Sequence, residues 1–153
     1  MIIVKSEREI ELMRRAGKIT AAARALAGEM VKPGVTTQQI DKAVHRFITE
    51  QGAIPSFLHY NGYPASVCVS VNDEIIHGIP GDRVLHEGDI VSVDVGARYR
   101  GFNGDCAGTF PCGKCSDEAL RLIRITRQSF FEGIQFARVG YRISDIGHAV
   151  QEY

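Results

Sequence analysis

The sequence predicts an α+β fold from three observations. Two stretches of helical periodicity, each opened by a capping signal, precede Gly52. The apolar period falls to two between Pro55 and Pro111, and the helical period returns after Ser116. Ser6 with Glu9 forms the first capping box, and Ile10, Met13, Ile19, Ala23, Leu26 and Met30 recur near the helical period until Lys32-Pro33-Gly34 stops it. Thr36 with Gln39 opens a second helix whose Ile40, Val44, Phe47 and Ile48 form one stripe before Gly52. In the middle stretch Val67, Val69 and Val71 alternate, as do Val91, Val93 and Val95, with turn residues Asn72-Asp73, Gly81-Asp82 and Gly101 between them. An antiparallel sheet follows from the short spacing of these segments. A third helix starts at a Ser116 cap, gains from Asp117 and Glu118 at its positive end, and runs to about Ala137.

The chain has 153 residues, 44% hydrophobic and 24% charged, which is the balance of a globular protein able to close one core. Lys+Arg and Asp+Glu cancel at 18 each, so there is no excess field for tracking nucleic acid, and no direct nucleic-acid binding is expected. The start, Met1 to Lys5, is too short an apolar run for a signal peptide, and no stretch reaches the roughly 20 apolar residues that span a bilayer. A cytoplasmic protein away from the membrane is expected, with Cys68, Cys106, Cys112 and Cys115 reduced.

The end of the sequence repeats an earlier part. With an offset of 106, residues 137–153 overlay 31–47 and match Gly140 to Gly34, Ile146 to Ile40, Ala149 to Ala43 and Val150 to Val44. Both copies follow a long helix and both read as turn then helix. The first copy goes on to supply a sheet and the second stops at Tyr153, so a duplicated fold with a truncated second half is expected.

In Ile90-Val91-Ser92-Val93-Asp94-Val95-Gly96 the valines take one strand face, leaving Ser92, Asp94 and Gly96 on the other. A hairpin turning between Tyr99 and Arg100 would set Asp94 directly across from Asp105, with Cβ atoms about 4.5–5.5 Å apart. Two carboxylates that close share a proton or hold a hard dication between them, whereas another turn register separates them and leaves solvated turn residues. His77, in Ile75-Ile76-His77-Gly78-Ile79-Pro80, follows an apolar strand and precedes a Gly/Pro loop; it is either a structural or a functional imidazole. Tyr60, Tyr63 and Phe57, near Pro64 and Cys68, form a pocket wall or plain lid packing. Cys112-Gly113-Lys114-Cys115 is a lone CxxC, half of a zinc site joined by Cys106, a redox pair, or a surface loop.

The run Tyr60-Asn61-Gly62-Tyr63-Pro64-Ala65-Ser66-Val67-Cys68, then Asn72 to Pro80 ending in His77-Gly78-Ile79-Pro80, then Gly88 to Val95 and Gly101 to Asp105, resembles bacterial-type methionine aminopeptidase. The resemblance covers essentially the whole chain. It implies the pita-bread (creatinase/aminopeptidase-like) fold, two related halves around a curved antiparallel sheet flanked by helices. The chain would then be the N-terminal portion of one catalytic domain, its first half about 1–111 and its second beginning about 112–153. It implies removal of initiator methionine from nascent chains by metal-assisted hydrolysis with two divalent ions, Mn, Fe, Co or similar, and admits the ribosome as a partner.

Carried over by residue, Asp94 and Asp105 match two metal ligands and His77 the histidine that contacts substrate. Tyr60, Tyr63, Cys68 and Phe57 fall where the family lines its methionine pocket. A further histidine and two glutamates of the family pattern lie beyond the equivalent of Tyr153, so the 153-residue chain alone is expected to be inactive. Gly96 and Cys106 depart from the family's commoner residues at their positions. A non-catalytic binding module is the rival expectation; it would shed its metal ligands first, yet both that fall in this span are present.

Overall fold

Both predicted capping boxes form. The Glu9 carboxylate accepts from the Ser6 N–H at 2.8 Å and opens α1 (Glu7–Met30), and Gln39 Oε1 accepts from the Thr36 N–H at 2.8 Å and opens α2 (Thr37–Glu50). The computed structural model describes residues 3–153 and has two compact units, Met1–Lys114 and Cys115–Tyr153. Met1 and Ile2, part of the short apolar start, lie outside the described residues. In the first unit four strands follow the helices: β1 (Ile54–Pro55), β2 (Val67–Val71), β3 (Ile90–Tyr99) and β4 (Phe102–Pro111). All pairings are antiparallel, with β4 along one edge of β3 and β2 and β1 sharing the other. The alternation read from sequence is the core: Val67, Val69, Val71, Val91, Val93 and Val95 are buried against Ile40, Val44 and Ile48 of α2 and Ile19, Ala23 and Ala27 of α1. Each fully buried valine or isoleucine contributes about 1.5–3 kcal/mol.

The β3–β4 hairpin corrects the expected register. Tyr99 pairs with Phe102, and the two-residue loop between them has Arg100 at φ 47° and Gly101 at φ 92°. Such a tight loop needs two successive left-handed residues to match the strand twist, and Gly101 takes the second position without steric cost. Arg100 therefore occupies the first, and the turn sits one residue later than the sequence reading placed it. The pairing moves by two residues, an even number, so no side chain changes face. Asp94 lies opposite Ala107 and Asp105 opposite Gly96, which makes the aspartates diagonal rather than direct neighbours on one face.

Helix α1 packs on the opposite face through small residues. Ala16, Thr20, Ala23 and Ala27 are buried, whereas Ile10 and Met13 of the predicted stripe are 45% and 41% exposed. The reason is a close approach to β4: a Cβ on Gly104 would stand 2.7 Å from the backbone of Ala16 and Gly17. Gly104→Val is expected to lower stability by about 1–3 kcal/mol, read as a lower urea midpoint. An unchanged midpoint would mean that α1 slides freely over the sheet.

The second unit holds α3 (Asp117–Ile134), capped by Ser116 Oγ accepting from the Ala119 N–H at 3.2 Å, and α4 (Ile143–Glu152). Helix α3 ends at Ile134, three residues before the expected Ala137, because the Phe136 and Ala137 N–H groups turn back to Gly133 and Ile134. The repeat is visible bond by bond. Val31 N–H to Gly28 O and Val35 N–H to Lys32 O recur as Ala137 to Ile134 and Tyr141 to Arg138. Gly34 at φ 88° recurs as Gly140 at φ 98°, and the Thr36–Gln39 bond recurs as Arg142 N–H to Asp145 Oδ2 at 2.7 Å.

Candidate functional site

The sheet face turned away from the valine core carries Ser70, Ser92 and Thr109 in one row, Cys68, Asp94 and Ala107 in the next, then Gly96 and Asp105. Strand alternation alone puts them there. Beside this face lies a cavity of about 560 Å³, and its walls hold Phe57, Tyr60, Tyr63, Cys68, His77, Asp94 and Asp105. Every site residue read from the sequence thus reaches one cavity, together with Asn61, Gly62, Pro64 and Ile79, which the sequence reading did not single out. For Asn61, Gly62 and Pro64 the signal is adjacency to tyrosines in a loop whose His59 and Asn61 take left-handed φ of 67° and 49°, and for Ile79 it is its place two residues after His77.

Asp94 is the electrostatic centre. Burial, the charge of Asp105 and a hydrogen bond shared with Asp105 push its carboxyl up to about 6, against the opposing pull of His77 and the Val95 N–H. Asp94 Oδ1 is buried and has no hydrogen-bond partner among the described residues. Burial also raises the Cys68 thiol, directly across from Asp94, and the Tyr63 hydroxyl, so both stay protonated at neutral pH. Gly96 explains its departure from the expected pattern: a Cβ there would lie 2.7 Å from the Phe57 ring, which occupies that space.

His77 lies in an exposed loop at φ 58°, and Ile75 and Ile76 before it are 90% and 68% exposed, so the apolar segment there is not a strand. The cysteine motif is an irregular segment with Gly113 and Lys114 exposed and the Cys112 and Cys115 side chains buried. Cys106 pairs across from Val95, on the α1 side of β4, and among the described residues no three His, Cys, Asp or Glu side chains form a group able to hold a metal. A thiolate zinc site is therefore not built from Cys106, Cys112 and Cys115.

The raised Asp94 carboxyl has a consequence for the metal-free chain. The native state keeps a proton that the unfolded state gives up near the ordinary 3.8, so Asp94 makes stability fall as pH rises from 3.8 to about 6. Asp94→Asn is expected to raise the Tm at pH 7 and to flatten that pH dependence. A lower Tm than the unsubstituted chain would contradict the burial of an uncompensated carboxylate.

A model of metallopeptidase family M24 matches residues 11–153. The chain belongs to this family. The M24 chain is 49% identical over 153 residues to methionine aminopeptidase 1 of Bacillus subtilis and 52% identical over 154 residues to the methionine aminopeptidase of Clostridium acetobutylicum. All of the chain is covered in both, against 62% of each relative. The crystal structure of methionine aminopeptidase from Rickettsia prowazekii superposes with a TM-score of 0.97 at 39% identity, covering 100% of this chain and 62% of that one. The M24 chain has the pita-bread fold of these structures, and it spans about 62% of the length of the curated relatives it matches.

Membership in a metallopeptidase family implies divalent metal cofactors, and the residues present fit that chemistry. A buried carboxylate oxygen without a partner costs roughly 1–3 kcal/mol or more, and a hard cation accepted by two oxygen donors on one face removes that cost. No helix of the described residues is long and apolar enough to cross a membrane.

Proposed function

We propose that this chain is the N-terminal portion of a single pita-bread catalytic domain, its first half about 1–111 and its second beginning about 112–153, that removes initiator methionine from nascent proteins. The observation that carries the proposal is the convergence of two carboxylates, an imidazole and an apolar wall on one cavity of about 560 Å³. Asp94 and Asp105 would hold two divalent ions, Mn, Fe or Co, whose carboxylate ligation does not choose among them. When bound, those ions supply Lewis acidity toward the scissile carbonyl and a nucleophile at neutral pH.

The chain's own residues then divide the remaining work. Phe57, Tyr60, Tyr63 and protonated Cys68 take the methionine side chain through apolar and sulfur–aromatic contact. A thiol kept neutral by burial adds no second charge beside the carboxylates. His77, poised in a loop at the cavity, donates a hydrogen bond to charge developing on the substrate carbonyl. The substrates are N-terminal Met peptides emerging on the ribosome, the setting is cytoplasmic, and no nucleic-acid contact is needed, since the formal net charge is +0.

Methionine release from a short Met-Ala peptide with added Mn, Fe or Co tests this reading. The protein at the length of its relatives is expected to release methionine and to stop when a chelator is added. The 153 residues alone, with two carboxylate ligands and no group of three His, Cys, Asp or Glu side chains able to hold a metal among the described residues, are expected to release none. Metal-independent hydrolysis, or equal turnover by the 153 residues alone, sinks it.

A further inference from the structure

His77 stands in a loop whose neighbours are exposed, yet the residue after it is pinned. The Gly78 N–H donates to Ser70 Oγ at 3.1 Å, and Gly78 O accepts from the Val69 N–H at 2.9 Å and from Tyr63 Oη at 3.0 Å. Tyr63 Oη lies equally 3.0 Å from Val67 O, so one phenolic proton serves both the start of β2 and the loop. The contact is steric as well as polar. A Cβ on Gly78 would run into the Val69 carbonyl oxygen and lie 3.0 Å from Ser70 Cα, so only glycine lets the loop backbone lie flat on β2. Ser70 is 5% exposed, and its side chain faces the site side of β2 beside the Cys68 and Asp94 row.

This anchoring answers a question that the backbone of His77 raises. A non-glycine residue at φ 58° is strained and persists only where its surroundings over-determine it. Asn72 and Glu74 tie the start of the loop to Asp89, Ile90, Val71 and Arg83, residues 75–77 are exposed, and Gly78 is held through both its peptide groups and its α-carbon. The direction in which the imidazole leaves the loop is thus set one residue later, by groups on β2 and by the tyrosine of the pocket.

We infer that Ser70 and the hydroxyl of Tyr63 are positioning residues that fix the presentation of the His77 imidazole through Gly78. Tyr63 then has two separable parts, a ring that walls the pocket and a hydroxyl that aims the loop. The activity arm of this inference rests on the role proposed above for His77; the backbone arm does not.

Two measurements test it. In the protein at its relatives' length, Ser70→Ala and Tyr63→Phe are each expected to lower kcat about 3- to 10-fold, the scale of one neutral hydrogen bond, with KM within about twofold. Ser70→Thr, which keeps the hydroxyl, is expected to restore kcat. In a His77→Ala background neither change should lower kcat by more than about twofold, because the group they aim is gone. Losses that multiply fully with that of His77→Ala, or no loss at all, overturn the inference.

The backbone arm is read by hydrogen exchange of the Gly78 amide, which should be protected in the unsubstituted chain and exchange much faster after Ser70→Ala. Equal exchange in the two overturns the inference whatever the turnover does. If the unsubstituted protein releases no methionine while Gly78 behaves as expected, the proposed activity has failed and the anchor has not.

Discussion

Asp94→Asn and Asp105→Asn are each expected to abolish metal-dependent methionine release in the protein at its relatives' length, lowering kcat/KM by more than about 10²-fold. Loss of a group that merely orients a ligand already costs about 10- to 100-fold, and these substitutions remove a ligand oxygen itself. The two carboxylates share one sheet face as diagonal neighbours, and burial together with the charge of Asp105 pushes Asp94 up to about 6. Neutralising either one relieves that repulsion, so the metal-free fold is not weakened when function is lost. The distinctive outcome is this opposition: for Asp94→Asn, turnover falls while the Tm rises. Added Mn should restore the Asp105→Asn protein only at concentrations far above those that saturate the unsubstituted one. Turnover by either variant near the unsubstituted rate sinks the metal assignment.

Much of this arrangement is legible from local rules. Two capping boxes, the valine alternation and the face shared by Asp94 and Asp105 all follow from periodicity and from hydrogen-bonding chemistry within four residues. What was not legible depends on close approach between segments far apart in the chain. The turn at Arg100-Gly101 depends on an arginine accepting a left-handed φ, which its residue type does not announce. The face of α1 is legible only in part: Ile19 and Ala23 of the stripe are buried, but Ile10 and Met13 are exposed, because the close contact runs through Ala16, Gly17 and Thr20 against Gly104. In the sequence Gly96 reads as a strand position and Gly78 as a loop residue, yet each makes room, one for the Phe57 ring and the other for β2 backbone. Ser70 shows no sequence signal at all, since a buried strand serine is read as neutral until its partner, eight residues away, is seen.

His77→Ala is expected to lower kcat/KM by about 10²–10³, the loss typical of one donor aimed at charge that develops in the transition state. The effect should fall on kcat, because a bond formed mainly to developing charge adds little to ground-state binding. Stability tells a different story. The imidazole belongs to an exposed loop residue outside the core, so deleting it removes no core packing. Its backbone sits at φ 58°, however, where alanine is disfavoured by roughly 1–2 kcal/mol. Asparagine tolerates that conformation, so His77→Asn removes the imidazole without the backbone cost. Both variants should lose turnover to a similar extent, while only His77→Ala unfolds at a measurably lower temperature. If His77→Asn retains turnover within a few-fold, the imidazole is a structural feature of the loop, and the charge on the substrate carbonyl must be met by another group.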